Sequence, residues 1–175
     1  MKILIPTAKE MNLSLKPHGK CFLSEQTKTI VASLSQYSIE ELAYFYHIGL
    51  ERAEEEYVHF QQLKNGQALT YPALHLFDGV MYRNIKRSDL TEKKSRYVDK
   101  HLFITSSLYG VIPAMALISP HRLDFSAKCT ISGKSLKNYW RNDYDAAISG
   151  EEMILTLLSN EFETVFSKSV RDKML

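Results

Sequence analysis

The stretch from His101 to Phe125, HLFITSSLYGVIPAMALISPHRLDF, gathers side chains that packing alone rarely requires together. An apolar run, LFITSS, passes straight into Leu108, Tyr109 and Gly110. Two prolines then lead to Arg122 and Asp124. An arginine can clamp a phosphate with its planar fork, and a nearby carboxylate can orient it or act as a base. Arg122 and Asp124 occupy alternate positions, so on a strand they share one face. A structural ion pair between them is the competing reading. Lys9 follows an apolar triplet and Pro6. Ligands gather at the strand ends of α/β sheets, where a lysine binds phosphate or, once burial lowers its pKa, becomes a nucleophile. The plainer alternative is a solvated loop lysine. Tyr82 and Tyr109 can stack on a base or line a cleft, against the commoner role of core tyrosines.

The six histidines carry no metal motif: HExxH and Cys/His clusters are both absent. Two pairs, His47 with Glu51 and Glu55 with His59, place an imidazole and a carboxylate on one helix face. Such pairs are ordinary on a helix surface, so no iron chelation is read from them, and no cofactor is expected. The net charge is +2, which is no electrostatic footprint for nucleic acid by itself. The charges are nonetheless grouped. Glu51, Glu54, Glu55 and Glu56 form an acidic block; Lys86, Arg87, Lys93, Lys94, Arg96 and Lys100 form a basic stretch; Lys128, Lys134, Lys137 and Arg141 form a looser one. A solvated helix face is the usual meaning of such runs.

These residues need elements to position them. With 175 residues, 45% of them apolar, the chain is long enough for a real core, and a single domain over 1–175 is expected. No segment approaches the ~20 apolar residues that span a bilayer. MKILIPTAK reads as a first strand rather than a signal peptide, and two distant cysteines suit a reduced, cytoplasmic protein. Lys2 to Pro6 is a strand, Thr7 to Lys20 a loop, and Ser24 to Leu34 a short helix. Ser38 with Glu41 is a capping box opening a helix through Tyr46. Gly49 interrupts, and helix resumes from Leu50 to Asn65-Gly66. Ala73 to Phe77 reads as a second strand and Leu102 to Ser107 as a third. A charged helix capped by Ser88 or Thr91 lies between them. Ser126 to Ser132 reads as an edge strand, Ser135 to Ile148 as an amphipathic helix, and Ile154 to Leu158 as a last apolar strand. Phe162 to Leu175 shows no clear closing element. The order predicts an α+β fold, a mixed sheet with helices on its faces.

Several blocks, taken in order, resemble the YaaA family of bacterial peroxide-stress proteins. PTAKEMN (Pro6 to Asn12) is similar to the family's opening S-P-A-K block, and DGVMYRNI (Asp78 to Ile85) to its G-D-V-Y-x-G-L block. LYGV (Leu108 to Val111) and SPHRLDF (Ser119 to Phe125) match L-Y-G-V and Q-P-Y-R-L-E-M. GKSLKNYW (Gly133 to Trp140) and LLSNEF (Leu157 to Phe162) match G-x-x-L-Y-x-F-W and L-A-S-x-E-Y. Asp124 stands where the family carries Glu, one methylene shorter. Members of the family continue past this C-terminus with a Lys-rich K-x-A-R-G block, so the resemblance implies a chain lacking the family's C-terminal part.

The resemblance implies a compact mixed fold with a basic cleft, non-specific DNA binding through a helix-hairpin-helix, and limitation of free iron under peroxide stress. The region able to hold the hairpin is Ile39 to Tyr57, with Gly49 and Arg52 at its turn. A phosphate would be met by turn amides and the next helix N-terminus. Read from the residues alone, Gly49 is rather a C-cap glycine between two helices. On the DNA reading, Lys9, Arg83, Arg122 and Lys134 meet phosphates, while Tyr82, Tyr109 and Gly110 line the cleft with Asp124. The alternative is an enzyme acting on nucleic acid or a nucleotide, with Lys9 as nucleophile and Asp124 or Glu161 as acid/base. No membrane partner is expected.

Overall fold

The computed structural model describes residues 1–175. The apolar triplet lies in the strand Lys2–Pro6 (β1). Ser24 opens Glu25–Leu34 (α1), its hydroxyl accepting from the Thr27 amide at 3.2 Å. Ser38 and Glu41 form the capping box of Ile39–Tyr46 (α2): the Glu41 amide donates to Ser38 Oγ at 3.2 Å, and the Ser38 amide to the Glu41 carboxylate at 2.7 Å. Leu50–Lys64 (α3) follows. Tyr71–Pro72 (β2) runs into Ala73–Leu76 (α4), Val80–Asn84 (α5) and Glu92–His101 (α6). Next come Leu102–Ser106 (β3), Gly110–Pro113 (β4), Leu117–Ile118 (β5), Thr130–Ile131 (β6) and Lys134–Ser135 (β7). Ser135 caps Leu136–Ala147 (α7), which precedes Ile154–Thr156 (β8), Asn160–Glu163 (α8) and Lys168–Arg171 (α9).

The main sheet runs β4-β3-β1-β8. β1 pairs parallel with both β3 and β8, while β4 is antiparallel to β3. Successive strand residues face opposite sides of a sheet, and β1 shows it. Leu4 packs with Ile30, Phe60 and Trp140 from α1, α3 and α7, whereas Ile5 packs with Leu74, Leu76 and Tyr82 from α4 and α5. Helices therefore cover both faces of a mixed sheet, as the element order predicts. Because β1, β3 and β8 are parallel, their carboxyl ends share one edge.

That edge is held by side chains of α1 and α7. The carbonyls of Ser106, Ser107 and Leu108 accept from Tyr144 Oη at 2.9 Å, Trp140 Nε1 at 2.7 Å and Thr27 Oγ1 at 2.9 Å. Buried carbonyls need such donors wherever a strand ends. Ser106 Oγ accepts from the amides of Leu108 and Tyr109, which turns the chain toward β4. Gly110 completes this turn with φ of +80°, and a Cβ there would lie 3.0 Å from Trp140 Cζ3. Gly110→Ala is therefore expected to cost about 1–3 kcal/mol, from left-handed strain and the ring contact. Urea unfolding measures it; an unchanged midpoint would mean that the indole gives way freely.

Several expectations need correction. Ala73 to Phe77 is not a strand. Only Tyr71–Pro72 pairs, with β5, and Ala73–Leu76 turns helical. The Arg87 guanidinium accounts for this locally by donating to the carbonyls of Leu74, His75 and Phe77. An edge strand over Ser126 to Ser132 shrinks to Thr130–Ile131, paired with β7 around Ser132 and Gly133, both at positive φ. Such a turn suits a two-residue hairpin. The C-terminal stretch does hold elements, α8 and α9, and Met174 bridges to Ile154 of β8.

Candidate functional site

At the shared carboxyl edge lies a cavity of about 670 Å3. Lys9 enters it from the loop after β1, and Arg122, Asp124, Ser126 and Lys128 from the stretch after β5. Tyr44 and Tyr46 come from α2. Lys9, Arg122 and Asp124, distant in the chain, thus line one concavity. The stretch carrying Arg122 and Asp124 is a loop, not the expected strand. Alternation survives there in that Leu123 and Phe125 enter the core while Arg122 and Asp124 line the cavity, Asp124 as a buried carboxylate. The loop is pinned at several points. Ser107 Oγ donates to the Leu123 carbonyl at 2.7 Å, and the Ser119 amide donates to Tyr109 Oη at 3.1 Å. His121 Nδ1 donates to the Ser119 carbonyl at 2.9 Å, and Tyr46 Oη donates to the Arg122 carbonyl.

The charges pair differently from the simplest expectation. Lys9 Nζ lies 3.4 Å from Asp124 Oδ2. The other Asp124 oxygen accepts from the amide and hydroxyl of Ser126, an Asx-type turn. The Ser126 amide also donates to Glu161 Oε1 at 3.1 Å, which brings Glu161 into the same cluster. Arg122 makes no ion pair. Its guanidinium lies 5.6 Å from the Tyr46 ring centroid, within cation–π range, and its buried Nε has no hydrogen-bond partner. The cavity is not basic as expected: Lys9, Arg122 and Lys128 are matched by Glu40, Glu41 and Asp124.

A second concavity of about 330 Å3 shares Lys9 and Arg122 and sets Arg52, Arg83, His59 and His121 beside the carboxylates of Glu10, Glu55, Glu56 and Asp78. Arg83 is engaged by Glu10 and Asp78, whereas Arg52 has no ion-pair partner. The connection between α2 and α3 corrects the reading of Gly49. His47 is the left-handed C-cap of α2, at φ 53°, and Gly49 is the N-cap of α3 at φ −67°. A Cβ on Gly49 would meet nothing within 4 Å, so no physical constraint requires glycine there. No group of three or more His, Cys, Asp or Glu is placed to hold a metal ion.

A family model described as peroxide stress protein YaaA matches residues 1–175. The chain belongs to the YaaA family. Its similarity to curated relatives extends over the whole chain. A UPF0246 protein of Streptococcus gordonii strain Challis is 57% identical over 175 residues, all of this chain and 72% of the relative. UPF0246 proteins of Streptococcus pneumoniae serotype 19F (strain G54) and strain CGSP14 are 52% and 51% identical over the same shares. Family membership assigns a role in peroxide stress. No helix is long and apolar enough to cross a membrane.

Within this YaaA-family chain, other residues singled out by sequence lie away from the cavity. Tyr82 is buried and donates to the Pro6 carbonyl at 2.7 Å; burial pushes its hydroxyl pKa up. Tyr109 is likewise raised by burial and holds the Ser119 amide. Tyr82 thus fixes the end of β1 and Tyr109 the start of the Arg122 loop, and neither lines the cavity. Gly110 faces Trp140, and Lys134 is exposed on the β6–β7 hairpin, outside both concavities. The aromatic wall comes instead from Tyr37, Tyr44, Phe45 and Tyr46. One signal was available: Leu42 and Tyr46 share the buried face of α2, and Tyr44, 82% exposed, falls off it.

His121 is a further residue that sequence reasoning missed. It is buried against the rings of Tyr109 and Phe77, and burial lowers its pKa to about 4. The bond to the Ser119 carbonyl and then the Glu56 charge pull it upward, and His59 pulls it downward. The unfolded chain therefore binds this proton more readily than the folded one, near pH 6.5. Stability is complete above that value and falls as pH drops toward 4, by about 3 kcal/mol. Denaturant unfolding of wild type and His121→Gln at pH 7 and pH 4.5 tests this, with a flatter profile expected for the variant. Parallel profiles would reject His121 as the source.

Proposed function

We propose that this peroxide stress protein binds DNA without sequence specificity in the cytoplasm, through the cleft between the α2–α3 hairpin and the Arg122 loop. The observation that carries this reading is the Arg122 guanidinium, which lines both concavities without a carboxylate partner. An arginine left unpaired between an aromatic wall and a helical hairpin suits a phosphate oxygen. Arg52, Lys9 and Lys128 are the cations that would extend the contact along a backbone. Arg83 is committed to Glu10 and Asp78, so it contributes less. Neutralised phosphates release condensed cations, ferrous iron among them. That release links occupancy of DNA to less iron-dependent oxidative damage and needs no chelating site on the protein.

Fluorescence anisotropy with labelled duplex and four-way-junction DNA over a salt series tests the reading. Three or four phosphate contacts predict a slope of log K against log salt of about −3. Salt-insensitive binding, or none, would refute it. A second reading is favoured by one observation, the contiguous chain Lys9–Asp124–Ser126–Glu161. It is an enzyme acting on nucleic acid or a nucleotide, with Lys9 as nucleophile and Asp124 or Glu161 as acid/base. Borohydride trapping on abasic DNA, with Lys9→Ala as control, decides it; the absence of an adduct eliminates the lysine-nucleophile mechanism.

A further inference from the structure

We propose that the 670 Å3 cavity is a pocket for one unpaired nucleotide, with its base against the α2 tyrosines and its phosphate on Arg122 and Lys9. This deepens the DNA-binding reading and rests on it for the source of the nucleotide. The volume lies within the range of small-ligand pockets, about 300–1,000 Å3. Four aromatic residues, Tyr37, Tyr44, Phe45 and Tyr46, line it. Tyr44 is the telling one. The residue is 82% exposed, and its ring meets the His47 ring in an edge contact at 6.1 Å. A flat aromatic face held in water beside a cavity is a platform for stacking.

The charges are polarised along α2. Glu40 and Glu41 are in its first turn, where each also accepts from Ser38. Arg122 is held at the last turn by Tyr46. Six residues of helix separate the two ends by roughly 9 Å, about the reach of a nucleotide from phosphate to base edge. The phosphate belongs at the Arg122 end, and the base presents its exocyclic amines to the carboxylates, which accept from such groups. A base stacked within a duplex cannot enter, so the nucleotide must be unpaired or extruded.

The test compares a fully paired duplex with the same duplex carrying one bulged adenosine, by anisotropy, for wild type, Tyr44→Ala and Tyr44→Phe. Adenosine monophosphate is titrated separately by calorimetry. Tyr44 is exposed, so the alanine variant keeps its fold. Wild type is expected to prefer the bulged duplex by about 5- to 100-fold, the worth of one stacked base. Tyr44→Ala should lose the preference and Tyr44→Phe keep it. Equal binding of both duplexes by wild type overturns the pocket while leaving DNA binding intact. Binding of the monophosphate alone, sensitive to Tyr44→Ala, upholds the pocket for a free nucleotide and removes DNA as its source. Binding of neither overturns both.

Discussion

Arg122→Glu is expected to weaken DNA binding about 100- to 10,000-fold at constant salt, in two comparable parts. A charge-assisted hydrogen bond to phosphate is worth about 1.5–3 kcal/mol. A carboxylate in its place faces the phosphate with like charge, at a similar further cost. The slope of log K against log salt should also become shallower by about one for the lost contact. The side chain can be changed without disturbing the loop, because Tyr46 holds the Arg122 carbonyl and Ser107 the Leu123 carbonyl. An unchanged thermal midpoint by circular dichroism would verify this. Undiminished affinity in a folded variant would remove Arg122 from the interface. Arg83→Ala is the useful contrast, since that guanidinium is already satisfied by two carboxylates.

Trp140→Ala is expected to lower stability by about 4–8 kcal/mol. Truncating a buried tryptophan costs about 3–5 kcal/mol, and leaving a buried acceptor unpaired adds about 1–3 more. Trp140 meets both conditions: it is 3% exposed, and its indole N–H donates to the Ser107 carbonyl. Domains of this kind have only about 5–15 kcal/mol in total, so much of the fold's margin would go. Urea unfolding followed by circular dichroism measures the loss, because the variant has no tryptophan left to report. Trp140→Phe keeps most of the bulk and loses the donor, so it separates the two contributions. A loss near 1 kcal/mol for Trp140→Ala would show that the indole cavity collapses. Ser107 also anchors Leu123, so the damage should reach the Arg122 loop and lower DNA affinity as well.

Much of the local structure follows from residues close together in the chain. Ser24, Ser38 with Glu41, and Ser135 place helix starts because a cap is a bond to an amide a few residues on. The apolar triplet in β1 and the spacing of Leu136, Trp140 and Tyr144 define a strand and a helix face. Ala73 to Phe77 could not be settled in this way. A five-residue apolar run has no readable period, and the choice fell to Arg87, which caps its carbonyls from outside. Lys9 and Arg122 were legible as residue types able to meet a phosphate and Asp124 as one able to orient them or act as a base, and YaaA membership was legible in the order of the sequence blocks. Their convergence depends on parallel pairing of β1 and β3, with Ile5 opposite Ile104, and on the side chains that tether the Arg122 loop. The tertiary structure alone decided that Asp124 pairs with Lys9, that Arg122 stays free, and that Tyr44 rather than Tyr82 or Tyr109 meets solvent. Charge pairing and exposure are set by groups that arrive from remote parts of the chain, and no local pattern encodes which of them arrives.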